Sequence, residues 1–178
     1  SLACLEFVCA SNVEFGFQVR LGGTVTTFGA ALTYDRAMLN SDASAAATSL
    51  TTDVSTGWLS GDEIGIASTT RTKADCEKKT LSANAAGTTL TIAAITSAHS
   101  GTSPTQAELI NLSRNVKIFS NSATLQTFLN ILGTSVVNMN WTEFYNMGSN
   151  TSLKRGIDVG TTTGSITINR CAIHDFNV

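Results

Sequence analysis

The chain has 178 residues, 42% of them hydrophobic and only 13% charged, with a formal net charge of −2. The charged share is about half the usual 25% or so; serine, threonine, asparagine and glycine fill the gap, as on a β-rich surface of hydroxyls and amides. No Lys/Arg run offers a nucleic-acid footprint, no stretch approaches the roughly 18 apolar residues of a membrane span, and no phosphate, dinucleotide or calcium loop points to a cofactor.

In chain order, "SLACLEFVCA" (1–10) lacks a basic stretch ahead of its apolar residues and does not read as a signal peptide. Short alternating segments follow at 13–23 and 24–32. Residues 33–50, "TYDRAMLNSDASAAATSL", are alanine-rich but interrupted by Asn40, Ser41 and Asp42, which favour turns; a short helix or an ordered loop is expected. Further alternating segments run at 63–69, 89–95, 115–121, 124–132, 136–148, 155–164 and 165–178. Alternation puts every second side chain on one face. The expected class is all-β with few short helices.

The last third repeats. "VNMNWTEFYNMG" and "ITINRCAIHDFNV" share a shape: a β pair, an asparagine corner, a second β pair, then another asparagine. Aligning Asn140 with Asn169 places Phe144 near Ile173 and Asn146 near Asp175. "NVKIFSNSATLQTFLNI" is a looser third copy. The spacing from one copy to the next is roughly 20 to 30 residues, within the range of a solenoid. A right-handed parallel β-helix is preferred to a sandwich, because the two-residue Asn-Gly or Asp-Gly turns of hairpins are absent. Apolar residues at both ends suggest an internal piece of a longer chain, or ends covered by neighbouring subunits.

Three stretches carry a family resemblance. "GWLSGDEIGIASTTRTKADCEKKTL" (57–81), "LTIAAITSAHSG" (90–101) and "QAELINLSRNVKIFS" (106–120) together resemble the G8 domain, and "WTEFYNMG" (141–148) is similar to a rung that follows it. The resemblance implies a domain carried on a parallel β-helix. It divides the chain into N-terminal β rungs (1–56), a G8-like region (57–120) and further rungs (121–178) that continue beyond the chain. Such proteins include fibrocystin-like surface proteins and cell-migration-inducing hyaluronidases, and similar sequences look frequent among phage virion proteins. The hyaluronidase branch has an Asp and an Arg just before its Ala-Glu; here Pro104 to Gln106 stand there, so no catalytic residue is assigned.

Glycoside hydrolysis uses two facing carboxylates. Asp62, Glu63, Glu77 and Glu108 are available, but Asp62 and Glu63 are adjacent and would point to opposite strand faces. Candidate ligand contacts are His99, Glu108, Trp141 and Tyr145. Each has a structural alternative: His99 a loop corner, Glu108 an ion pair with Arg114, and Trp141 with Tyr145 either an aromatic platform or core on one strand face. Trp58 is expected to lid the apolar end of a rung, and the adjacent His174 and Asp175 to diverge at a corner. Cys4, Cys9, Cys76 and Cys171 fit no metal spacing and read as buried free thiols, with a disulfide such as Cys4–Cys76 open in a secreted protein. The sequons at Asn111 and Asn140 fall inside expected strands, where a glycan would disturb packing; Asn150 carries the third. The expected function is a structural and adhesive module of a virion or extracellular surface protein, partnered by other copies, other structural subunits or surface glycans. No enzyme activity, cofactor or metal is expected. A polysaccharide-acting enzyme and a eukaryotic surface ectodomain are the alternatives.

Overall fold

The structure is a computed structural model that describes residues 1–176; the last two positions of the predicted 165–178 segment lie outside it. Three strands open the chain: β1 (Ala3–Phe7), β2 (Phe17–Val19) and β3 (Thr24–Phe28). Six follow: β4 (Arg36–Met38), β5 (Ser49–Thr51), β6 (Glu63–Ile66), β7 (Glu77–Thr80), β8 (Thr89–Thr91) and β9 (Glu108–Asn111). Seven close it: β10 (Val116–Ser120), β11 (Leu129–Gly133), β12 (Val136–Asn140), β13 (Thr142–Met147), β14 (Ile157–Thr162), β15 (Ser165–Asn169) and β16 (Ala172–Phe176). Two compact units result: Ser1–Ala31 together with the chain from Arg114 onward, and Leu32–Ser113. The parallel strands of the N-terminal region end at Phe28, residues 32–56 lie in the second unit, and the 57–120 stretch crosses from the second unit into the first.

In the first unit every pairing is parallel. Sheet I is ordered β1-β10-β13-β16, sheet II β2-β11-β14 and sheet III β3-β12-β15. The chain visits I, II and III in turn with β1 to β3, again with β10 to β12, again with β13 to β15, and returns to sheet I with β16. Residues repeat in register: Leu5, Ile118, Phe144 and Ile173 align across sheet I, and Phe28, Asn140 and Asn169 across sheet III. The expected pairing of Asn140 with Asn169 and of Phe144 with Ile173 is therefore observed. Inward positions from all three sheets meet in one core, with Ile118 and Phe144 from sheet I, Leu129 and Ile131 from sheet II, and Val137 and Met139 from sheet III. A parallel strand offers no hairpin, so its hold comes from this shared apolar interior and from like side chains stacking one strand above the next.

The corners repeat as well. Trp141 and Arg170 both take positive φ, 52° and 54°, and so do Asn146 and Asp175, each at 52°. Asn169 donates from Nδ2 to Asn140 Oδ1 at 3.2 Å, a short asparagine ladder between strands. At the matching corner of the first strand set, a Cβ on Gly29 would lie 2.0 Å from the Trp141 carbonyl oxygen, so only glycine fits.

The second unit is antiparallel. β4-β9-β6-β7 form one sheet and β5-β8 a separate pair. Ile64, Ile66 and Leu109 point into a core completed by Leu39, Leu50, Leu81, Leu90 and Trp58. Trp58 is 1% exposed and donates from Nε1 to the Tyr34 carbonyl at 2.7 Å. It is the centre of this core and not the lid of a rung, because the segment around it folds into the antiparallel unit. The 33–50 segment holds β4 and β5 and no helix: Asn40 to Asp42 break it, and Ala46 turns with φ 68°. Among the described residues the one helical turn is the 3-10 turn Lys73–Asp75. No helix among them is long and apolar enough to cross a membrane.

Candidate functional site

Three places carry polar chemistry. The first is the outward row of sheet I. Strand alternation puts Ile118 and Phe144 inside and their neighbours outside. Phe119, Tyr145 and His174 align across β10, β13 and β16. Their rings form a column: Phe119 and Tyr145 lie 4.5 Å apart with planes 10° apart, and Tyr145 and His174 lie 5.5 Å apart with planes 7° apart. Because β10 and β16 flank β13 on opposite sides, the two faces of Tyr145 are both occupied within the column.

One step along the strands sits Glu143, buried. Its Oε2 accepts from the Arg114 amide at 2.7 Å and meets Lys117 Nζ at 2.9 Å. Its Oε1 stands 3.4 Å from His174 Nε2, an ion-pair approach without hydrogen-bond alignment. Burial opposes charge on Glu143, but His174, Lys117 and the Arg114 amide outweigh it and hold the carboxyl below its ordinary range. Burial likewise opposes protonation of His174, yet Glu143 and Asp175 outweigh it and raise its pKa. His174 and Asp175 do not diverge. The turn at Asp175 brings its Oδ2 to 2.9 Å from His174 Nδ1.

Trp141 does not share a strand with Tyr145. Positive φ at Trp141 breaks the run between β12 and β13. The Arg114 and Arg170 guanidiniums lie over its ring at 5.4 and 5.7 Å, a cation–π arrangement. Arg114 Nε also donates to the Arg170 carbonyl at 3.1 Å.

The second place is the His99 cleft of the antiparallel unit, about 440 Å³ and lined with Asp42, Ser44, Thr69 and Ser100. His99 is 2% exposed, with Nδ1 3.1 Å from the Ala67 carbonyl and Nε2 3.3 Å from Glu77 Oε1. Glu77 accepts from the amides of Thr96 and Ser97 and pairs with Lys79 at 3.0 Å. Burial works against its charge, but the Ser97 and Thr96 amides, Lys79 and His99 prevail and hold it at about 2. A carboxyl so acidic stays ionised and clasps a loop; it is unsuited to protonating a leaving group. Asp42 is similarly occupied by the Gly101 amide at 2.8 Å. Glu108 lines a different cleft, about 370 Å³, and pairs across β4 and β9 with Arg36 at 3.6 Å. Asp62 holds the Leu59 amide and the Asn111 side chain, while Glu63 meets Lys78. Asn111 is fully buried with both ends of its amide bonded. All four cysteines are free, but Cys4 and Cys76 are exposed and only Cys9 is buried; two of the expected buried thiols therefore lie at the surface, Cys4 on the outward side of β1 and Cys76 at the end of the 3-10 turn Lys73–Asp75.

The third place is a cleft of about 260 Å³ beside sheet II, lined with Gln18, Arg20, Phe128, Asn130, Ser152 and Lys154. Nothing in the sequence singled these residues out, because they come from three separated segments.

No family model matches the chain, and no curated protein does. Among solved structures the chain is similar to a tailspike of the Acinetobacter baumannii bacteriophage AP22, in complex with A. baumannii capsular saccharide. The identity is 14%, the TM-score 0.37, and the match covers 93% of this chain. The chain spans 31% of that protein's length.

Proposed function

We propose that the chain is a structural and adhesive module of a larger virion or extracellular surface protein, such as a phage fibre, tailspike-like or decoration component. Its parallel unit winds as a right-handed parallel β-helix segment, and its antiparallel unit is a G8-like domain. The observation that carries this reading is that the chain passes three times through the same three parallel sheets with residues in register. Such stacking makes a stiff, quasi-one-dimensional body whose stability accumulates rung by rung. Its partners are other copies, other structural subunits and surface glycans. The glycan is met by hydroxyl and amide groups along the strand faces.

The test is retention on a panel of immobilised bacterial and animal polysaccharides, with release of reducing ends measured in the same wells. Binding without release is expected. Release of reducing ends would make the chain a polysaccharide-acting enzyme of the G8 hyaluronidase type, and absence of any retention would remove the adhesive role.

A further inference from the structure

The sheet II cleft contains a polar group that the fold itself leaves unsatisfied. Gln18, Asn130 and Asp158 align across β2, β11 and β14. Their neighbours Leu129 and Ile131 face the core, so Asn130 faces outward. Asn130 is nonetheless 2% exposed. The turn before β14 folds over it, and its Nδ2 donates to the Leu153 carbonyl at 2.8 Å. Its Oδ1 is buried and has no hydrogen-bond partner, and the same is true of Asp158 Oδ2 one strand along. A buried acceptor without a donor costs about 1–3 kcal/mol, so the one on Asn130, which lines the cleft, marks a place built to receive a donor.

Cations stand beside this row. Lys154 Nζ reaches the Val13 carbonyl at 3.2 Å and lies 5.3 Å from the Phe128 ring centroid. Arg20 is exposed on the same cleft, and its guanidinium has no hydrogen bond or ion pair among the described residues. The cleft thus offers an orphan acceptor at Asn130 to a hydroxyl donor, and cations to an acid, in a space suited to one sugar ring.

We propose that this cleft binds an acidic sugar residue, its carboxylate toward Arg20 and Lys154 and a ring hydroxyl donating to Asn130. The proposal rests on the adhesive part of the reading above and names where that adhesion occurs and for which class of glycan. Arg20 supplies a planar pair of donors matched to a carboxylate. The Asn130 acceptor rejects analogues that cannot donate, since they would leave it unpaired.

The experiment is a ¹H–¹⁵N titration of the full chain with sodium glucuronate, glucose and sodium acetate in parallel. Saturable shifts are expected with glucuronate in the millimolar range, centred on the Asn130 side-chain amide and the Ser152 and Lys154 amides. Glucose and acetate should bind at least about tenfold more weakly, since each supplies only half of the contacts. Arg20→Gln, at an exposed position, should weaken glucuronate about tenfold. Asn130→Leu should abolish the saturable shifts with the unfolding midpoint kept or raised. Equal shifts with glucose, or an unchanged Arg20→Gln titration, would overturn the acidic specificity. Shifts centred on the His99 cleft or on sheet I would overturn the assignment of this cleft while leaving the adhesive reading intact. No shift anywhere overturns the cleft; the polysaccharide panel then decides separately whether adhesion survives.

Discussion

The Tyr145 ring stands 5.5 Å from the imidazole of His174, centroid to centroid, with the two planes 7° apart. Phe119 covers the other side of Tyr145 at 4.5 Å. Residues far apart in sequence thus stack because three parallel strands bring them to one row. Each such pair is worth about 0.5–1.5 kcal/mol beyond its area. Tyr145→Ala should lose about 2–4 kcal/mol, counting both stacks and the lost burial. A urea titration should show a lower midpoint with an unchanged slope. A change below about 0.5 kcal/mol would deny the column its role.

His174 and Glu143 give that row a pH dependence. His174 has its folded pKa raised above 6.5, so its stabilising contribution is full below 6.5 and is lost as pH rises through the raised value. Glu143 is lowered below 4.5, so its contribution is full above 4.5 and is lost as pH falls through the lowered value. Both contribute fully between those two pH values. The difference in urea midpoint between the native chain and His174→Gln should therefore be largest near pH 6 and shrink toward pH 9. A difference that grows with pH would contradict the ion pair.

Glu77 makes a separate acid-side prediction. Its carboxyl is held at about 2, against an ordinary 4.5, so the stability it gives is present above 4.5 and is lost as pH falls toward 2. Glu77→Gln removes a charged acceptor from the Thr96 and Ser97 amides, at a cost of about 1.5–3 kcal/mol. Native-state hydrogen exchange should quicken at Thr96, Ser97 and His99, and the slope of stability between pH 4.5 and 2 should flatten. Unchanged exchange at these amides would show that the clasp does not hold the loop.

Gly29 tests the stacking of the corners. Gly29→Ala sets a methyl group against the Trp141 carbonyl, which belongs to the backbone and cannot swing away. The cost should be about 1–3 kcal/mol. Gly65→Ala is the control, because its new Cβ would meet only the Leu112 side chain at 3.8 Å; its effect should stay within about 0.5 kcal/mol. Equal losses at the two positions would deny the close corner approach.

The sequence made the last strand sets readable because like residues repeat at like positions: Asn140 over Asn169, Phe144 beside Ile173. It did not reveal that β1 to β3 complete the same sheets across the whole of the second unit, since parallel pairing leaves no local signature of its partner. The antiparallel unit was hidden for a related reason. Its strands pair across long connections, such as the one from Ile66 to Glu77, so hairpin turn signals were not required. Tyr145 stood out in the sequence as an aromatic on a strand, but Phe119 and His174 join it only through register. Trp141 was misplaced on a strand because its residue type gives no hint of positive φ. The Arg20, Asn130 and Lys154 cleft was illegible, since an orphan acceptor is a property of burial and not of spacing.

The most direct test of adhesion is to incubate the full chain with an acidic polysaccharide and follow the molar mass of both by light scattering after size-exclusion chromatography. The protein is expected to co-elute with the polysaccharide while the polysaccharide's mass distribution stays unchanged. A progressive fall in polysaccharide mass, or protein that elutes alone at every ratio, would contradict an adhesive structural module.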